Sequence, residues 1–198
     1  MSARDRLTGG AGRWAAGCVN AWAGPRLLVL IFHRVLAQPD AMFPGEPDAL
    51  RFDRLMALVA RSFQVMTLAH AASRLVAGTL PSRALAITFD DGYADNHSVA
   101  LPILQRHGLV ATFYVSTGFL NGGRMWNDSI IETIRRCRSD RLDLSVFGLG
   151  VLPLGDDAQR RAAIHLLLPV LKHKPLWRAT TPWRGSGPWL ANRPYPIR

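Results

Sequence analysis

The stretch ALAITF at residues 84–89 constrains this chain more than any other. It carries no charge and no alternation of apolar and polar positions. A half-exposed strand needs that alternation, whereas a strand covered on both faces does not. Such a run belongs inside a parallel sheet with helices laid over it. Asp90, Asp91 and Gly92 follow at once. Adjacent carboxylates repel each other and resist burial, so they are expected where the strand emerges. Gly92 lets the backbone turn sharply there.

The flanking sequence repeats the same logic. RLLVLIFHRV (26–35) reads as a buried strand ended by His33 and Arg34. PDAMFPGEP (39–47) is a loop, and 48–63 an amphipathic helix with Leu50, Leu55, Leu58 and Val59 near one face. FQVMTL (63–68) is a short strand, and Thr67 is placed to cap a helix over 69–77 before the turn GTLPSR (78–83). After the acidic pair, a helix over roughly 95–107 stops at Gly108, and LVATFYVS (109–116) is a third apolar strand. TGFLNGGRMW (117–126) is a loop, and 127–138 a helix for which Asn127 or Asp128 is the candidate cap. LDLSVFGLGVLPL (142–154) is strand or loop, and 156–171 another amphipathic helix. Strands alternating with helices predict an α/β fold, a parallel sheet or barrel with covered faces.

Length and charge bound the rest. At 198 residues and 48% hydrophobic content, the chain suits one domain with a sizeable core. The net charge of +10 sits at the two ends. Residues 1–26 hold four arginines against Asp5, and residues 172–198 hold two lysines and four arginines with no acid. Residues 27–171 are left with 14 basic against 13 acidic residues, so no nucleic-acid partner is expected of the folded part. Cys18 and Cys137 are too few and too far apart for a disulfide framework or a zinc knuckle, and read as reduced thiols. The apolar run LLVLIF (27–32) is too short for a bilayer, and the N-terminus has no signal-peptide pattern, which makes a cytoplasmic protein the default expectation. Residues 172–198 hold three of six tryptophans and five of 13 prolines without any period, and read as a disordered tail or an out-of-frame stretch.

At the end of a parallel strand, Asp90 and Asp91 stand where functional groups gather in α/β folds. Successive strand residues point in different directions, so one carboxylate is free to hold a cation while the other faces a water or substrate. The plain reading, a solvated acidic pair heading a turn, is equally open on spacing alone. The wider text tips the balance. ITFDDGYADN, followed by LPILQRHGLVATFYVSTGFL, resembles the polysaccharide deacetylase family, the NodB-homology domains of carbohydrate esterase family 4. TFDDG matches that family's first motif, ATFYV its next strand, and LIFHRV its opening strand, so that the resemblance covers residues 27–171.

The resemblance implies a distorted (β/α) barrel of NodB-homology type, incomplete here, that hydrolyses N-acetyl groups of a polysaccharide's amino sugars. It implies a divalent metal, zinc foremost, held by one aspartate and two histidines. Asp91 would then be the metal ligand and Asp90 the general base on the metal-bound water. His33, Asn127 and Asp128 are candidates for the substrate cleft. The family's histidines come from an H-[ST]-x-x-H motif, which this sequence lacks. His165 and His173 are the only histidines after ATFYV, and on one helix they would lie about 12 Å apart, too far to share a metal. His165 is expected among aliphatic neighbours, and His97 and His107 on the surface. NRPYP (192–196) has the composition of the family's later R-x-P-Y motif but not its spacing. Zinc binding by this chain is therefore expected to be weak or absent.

Two other functions fit parts of the pattern. A non-catalytic carbohydrate-binding remnant would use the same cleft without metal. A magnesium phosphotransfer domain also sets an acidic pair at a strand end, but needs a lysine at a later one, and Lys172 and Lys174 are the only lysines.

Overall fold

A computed structural model describes residues 26–120, 122–145 and 148–172. These fall into two compact units, one built from 26–40 and 44–116, the other from 41–43 and 117–172. The basic segment 1–25 and the stretch 173–198, with Cys18, His173 and NRPYP, lie outside the described residues.

The first unit enters on β1 (Leu27–Phe32) and crosses to α1 (Ala49–Ser62). Asp48 caps α1: its carboxylate accepts from the Leu50 and Arg51 N–H groups at 2.9 Å each, a cap worth about 1 kcal/mol. β2 (Gln64–Val65) leads to α2 (Leu68–Val76), whose cap is Thr67, with its hydroxyl accepting from His70 N. β3 (Ala84–Phe89) follows, buried along its whole length. A wide π-helical turn, Asn96–Ala100, runs into α3 (Leu101–Arg106), which ends before Gly108 at φ 64°. β4 (Thr112–Phe113) closes the unit.

Every pairing in this sheet is parallel. β1 lies along all of β3, from Leu27↔Ala84 to Phe32↔Phe89. The other edge of β3 is shared, by β2 at Ala84 and Leu85 and by β4 at Thr88 and Phe89. Alternation sends Leu85, Ile87 and Phe89 to one face, where they meet Phe52, Met56 and Val59 of α1 and Ile103 and Leu104 of α3. Ala84 faces the other way, packing with Ala71 of α2 and with Leu27, Met66 and Leu80. The expected mixed α/β fold with a parallel sheet is present; closure into a barrel is not seen among the described residues.

Two local expectations are corrected. α1 buries Phe52, Met56 and Val59, while Leu50 and Leu58 are exposed, so its apolar face is rotated from the one its leucines suggested. LVATFYVS pairs as a strand over only two residues, because β2 already occupies the lower half of the β3 edge. The helix expected over roughly 95–107 is present and unbroken from residue 94 to 106, with the π-helical turn Asn96–Ala100 inside it.

The second unit holds α4 (Trp126–Arg135), the antiparallel pair β5 (Arg141–Asp143) and β6 (Val151–Pro153), and α5 (Asp157–Lys172). Its core is Met42, Ile134, Leu142, Leu144, Leu154, Ala163, Ile164 and Leu167. Arg160 of α5 caps the end of α4, donating to the carbonyls of Ile134 (2.7 Å), Arg135 (3.0 Å) and Cys137 (3.1 Å). A cation suits the carbonyls at the end of a helix, where the negative end of its dipole lies. Beside β5, the side chain of Ser145, and then its backbone N–H at 2.9 Å, hold the Asp143 carboxyl below its ordinary range. That interaction is present above the ordinary carboxylate range and is lost as pH falls through the lowered value. Cys137 is a free thiol.

Candidate active site

Asp90 continues β3 by one residue: its N–H donates to the Phe32 carbonyl at 2.8 Å. The chain then reverses. Asp91 and Gly92 both adopt φ 72°, left-handed backbone that glycine tolerates and an L-residue rarely adopts. Aspartate is among the side chains that visit this region most readily, yet a non-glycine residue there still carries strain, and such strain collects at functional sites. Gly92 has a second reason to be glycine. A Cβ there would stand 2.8 Å from Val115 Cγ1 and 3.2 Å from Val115 Cα.

Ser116 holds Asp91 from the β4 side. Its N–H donates to the Asp91 carbonyl at 3.3 Å, and its hydroxyl lies 3.4 Å from Asp91 Oδ1, at the long end of hydrogen bonding. From β1, His33 Nε2 stands 4.0 Å from Asp91 Oδ2 with its side chain half exposed. So the structure brings His33 to the acidic tip, next to Asp91.

A second set of residues braces the turn from behind. Arg34 donates through Nε and one terminal nitrogen to Asp95 Oδ2, both at 2.8 Å, and its guanidinium lies 4.8 Å from the Tyr93 ring centre. Asp95 Oδ1 lies 3.4 Å from the Val35 N–H. The next residue, Asn96, is 4% exposed, and neither polar atom of its amide has a partner among the described residues. An unpaired buried amide costs about 1–3 kcal/mol.

Ser116, Arg34, Asp95 and Asn96 are the residues the sequence did not point to. Arg34 and Asp95 had a faint signal, as opposite charges just past two strand ends. Asn96 and Ser116 had none.

Asn127 and Asp128 lie in the second unit, in the first turn of α4. The helix starts one residue earlier than expected, at Trp126 with Met125 as its N-cap, so neither is the cap. His97 is exposed as expected. His107 is not a plain surface residue: its Nε2 is 2.9 Å from Asp53 Oδ1, and Arg106 donates to the same oxygen at 3.1 Å. His165 is exposed on α5 rather than set among aliphatic neighbours.

The donor set for a metal is short. Among the described residues, no three His, Cys, Asp or Glu side chains come together to hold a metal ion. Asp91 and His33 are two donors, one fewer than the protein ligands of a catalytic zinc site, so these residues alone do not fit zinc.

Residues 77–146 match the profile of the polysaccharide deacetylase family. The Bacillus subtilis (strain 168) protein YxkH, named for the same family, is 30% identical over 92 residues, covering 46% of this chain and 32% of that protein. The chain thus spans about a third of the length of that curated relative. Among solved structures, the Streptococcus pyogenes deacetylase PplD is 20% identical with a TM-score of 0.43, over 54% of this chain and 50% of that one. IcaB from Ammonifex degensii is 26% identical with a TM-score of 0.40, over 55% and 48%. No helix among the described residues is long and apolar enough to cross a membrane. Through residues 77–146, this chain is similar to the polysaccharide deacetylase family.

Proposed function

We propose that the protein is a hydrolase removing N-acetyl groups from the amino sugars of a polysaccharide, and that the catalytic capacity of this chain is reduced or lost. The observation that carries the reading is Asp91 in left-handed backbone at a strand tip, with Asp90 beside it and Gly92 packed against Val115. A turn with ordinary backbone would serve a solvated acidic pair as well and avoid the strain.

In this reading Asp90 accepts the proton of the water that attacks the acetamide carbonyl, and Asp91 is the anchor for a divalent cation. Such a cation, when bound, supplies polarisation of the carbonyl. Ser116 holds Asp91 with His33 standing beside it, and the Arg34–Asp95 pair stiffens the turn beneath both carboxylates. The incomplete-barrel architecture and the polysaccharide substrate belong to the same proposal.

With two donors at hand, the cation is held weakly or not at all. That shortfall favours a second reading, a carbohydrate-binding remnant that needs no metal. One experiment separates them: deacetylation of a chitin oligomer during zinc titration, alongside glycan binding with and without chelator. The expected result is little or no turnover at any zinc concentration. Full zinc-dependent turnover would refute the claim of an impaired site. Glycan binding that survives chelation supports the remnant, and binding abolished by chelation counts against it.

A further inference from the structure

We propose that Tyr114 is the platform on which a sugar ring of the substrate rests, a proposal that builds on the carbohydrate reading above. The register places it. Phe32, Phe89 and Phe113 stand side by side at the last paired position of β1, β3 and β4. Their rings stack in a row, with Phe32–Phe89 at 5.4 Å and 26° and Phe89–Phe113 at 4.9 Å and 14°. One residue further along each strand stand His33, Asp90 and Tyr114. Backbone hydrogen bonds carry the ladder to this row, Asp90 N to Phe32 O and Tyr114 N to Phe89 O, each at 2.8 Å. The pleat turns its side chains to the face opposite the phenylalanines.

Packing does not explain the ring. Phe113, Tyr114 and Val115 are 38%, 49% and 48% exposed, three consecutive large apolar residues left open. A strand with a structural task alone buries every second residue, and an exposed apolar run asks for a function. Phe113 is pinned by its stack, and Val115 by its approach to Gly92. Tyr114 projects from backbone that its own N–H ties to the Phe89 carbonyl at 2.8 Å.

The chemistry of the row selects the occupant. An open aromatic face takes the C–H face of a pyranose, and the neighbouring carboxylate accepts from hydroxyls at the ring's edge. Asp90 and Asp91 repel a polyanion, so a neutral amino-sugar oligomer is the ligand that fits.

The test is calorimetric titration of the full chain with a chitin tetramer in EDTA, comparing the unsubstituted protein with Y114F and Y114A. Y114A is expected to bind roughly tenfold more weakly, the worth of one stacked ring, and Y114F to bind as the unsubstituted chain does. Y114F should leave the thermal midpoint unchanged, and Y114A should lower it only modestly, since about half of the side chain is exposed. Unaltered affinity in Y114A overturns the proposal. So does Y114F weakening as far as Y114A, which would assign the effect to the hydroxyl, and so does the absence of binding to the unsubstituted chain. The deacetylase reading stands or falls separately, on the zinc titration.

Discussion

Replacing Phe89 by alanine is expected to destabilise the first unit by about 3–5 kcal/mol, the range for deleting a fully buried aromatic ring. The ring is wholly buried and touches three others: Phe32 and Phe113 stacked on either side, and Phe52 edge-on at 6.0 Å. Each such pair adds about 0.5–1.5 kcal/mol beyond the area it buries. A domain with a total stability of about 5–15 kcal/mol does not absorb that loss easily. Urea denaturation followed by near-ultraviolet circular dichroism is the direct measurement, with Phe89→Leu as the milder control. A loss below about 1 kcal/mol would mean that the row of rings contributes little beyond its size. Because Asp90 is the next residue, the same substitution should also loosen the acidic tip.

Gly92→Ala is expected to cost about 2–4 kcal/mol, more than its single added methyl suggests, since backbone strain and a steric clash act together. The left-handed φ alone accounts for about 1–2 kcal/mol. The new Cβ would also meet Val115 Cγ1 at 2.8 Å and the Val115 Cα at 3.2 Å, and a backbone atom cannot rotate away. Gly78 supplies the control: its φ is 67°, and nothing lies within 4 Å of its would-be Cβ. Gly78→Ala should therefore show the backbone term alone, and the difference between the two midpoints isolates the clash. Equal losses would show that β4 gives way to the methyl without cost.

The sequence was most legible where one physical cause dominated. β3 runs from Ala84 to Phe89, the bounds its unbroken apolar run implied, because only a strand covered on both faces reads that way. Thr67 capped its helix as expected, since its hydroxyl has one obvious use there. Legibility failed where a neighbour decided. The buried face of α1 was readable in the i, i+4, i+7 spacing of Phe52, Met56 and Val59, but the leucines around them offered a second stripe. Only the phenylalanines of the sheet choose between the two. β4 is short because β2 had taken half the available edge, and no local property of LVATFYVS records that.

At the site, the acidic pair and Gly92 were readable from residue type, but the left-handed turn at Asp91 was not. Aspartate is compatible with many backbone conformations, and the one adopted is set by Ser116 and Val115 from the neighbouring strand. Asn96 is a similar case: its amide reads as polar and exposed, and the π turn buries it.

The divided edge of β3 has a kinetic consequence. β4 is fastened by two paired residues, whereas β1 is fastened by six, so β4 can peel away while the rest of the sheet stays zipped. Each such excursion breaks the grip of Ser116 on Asp91 but leaves the Asp90 amide locked to Phe32. The two adjacent residues therefore keep different time: Asp91 is released with every local opening, the backbone of Asp90 only when the body of the unit comes apart.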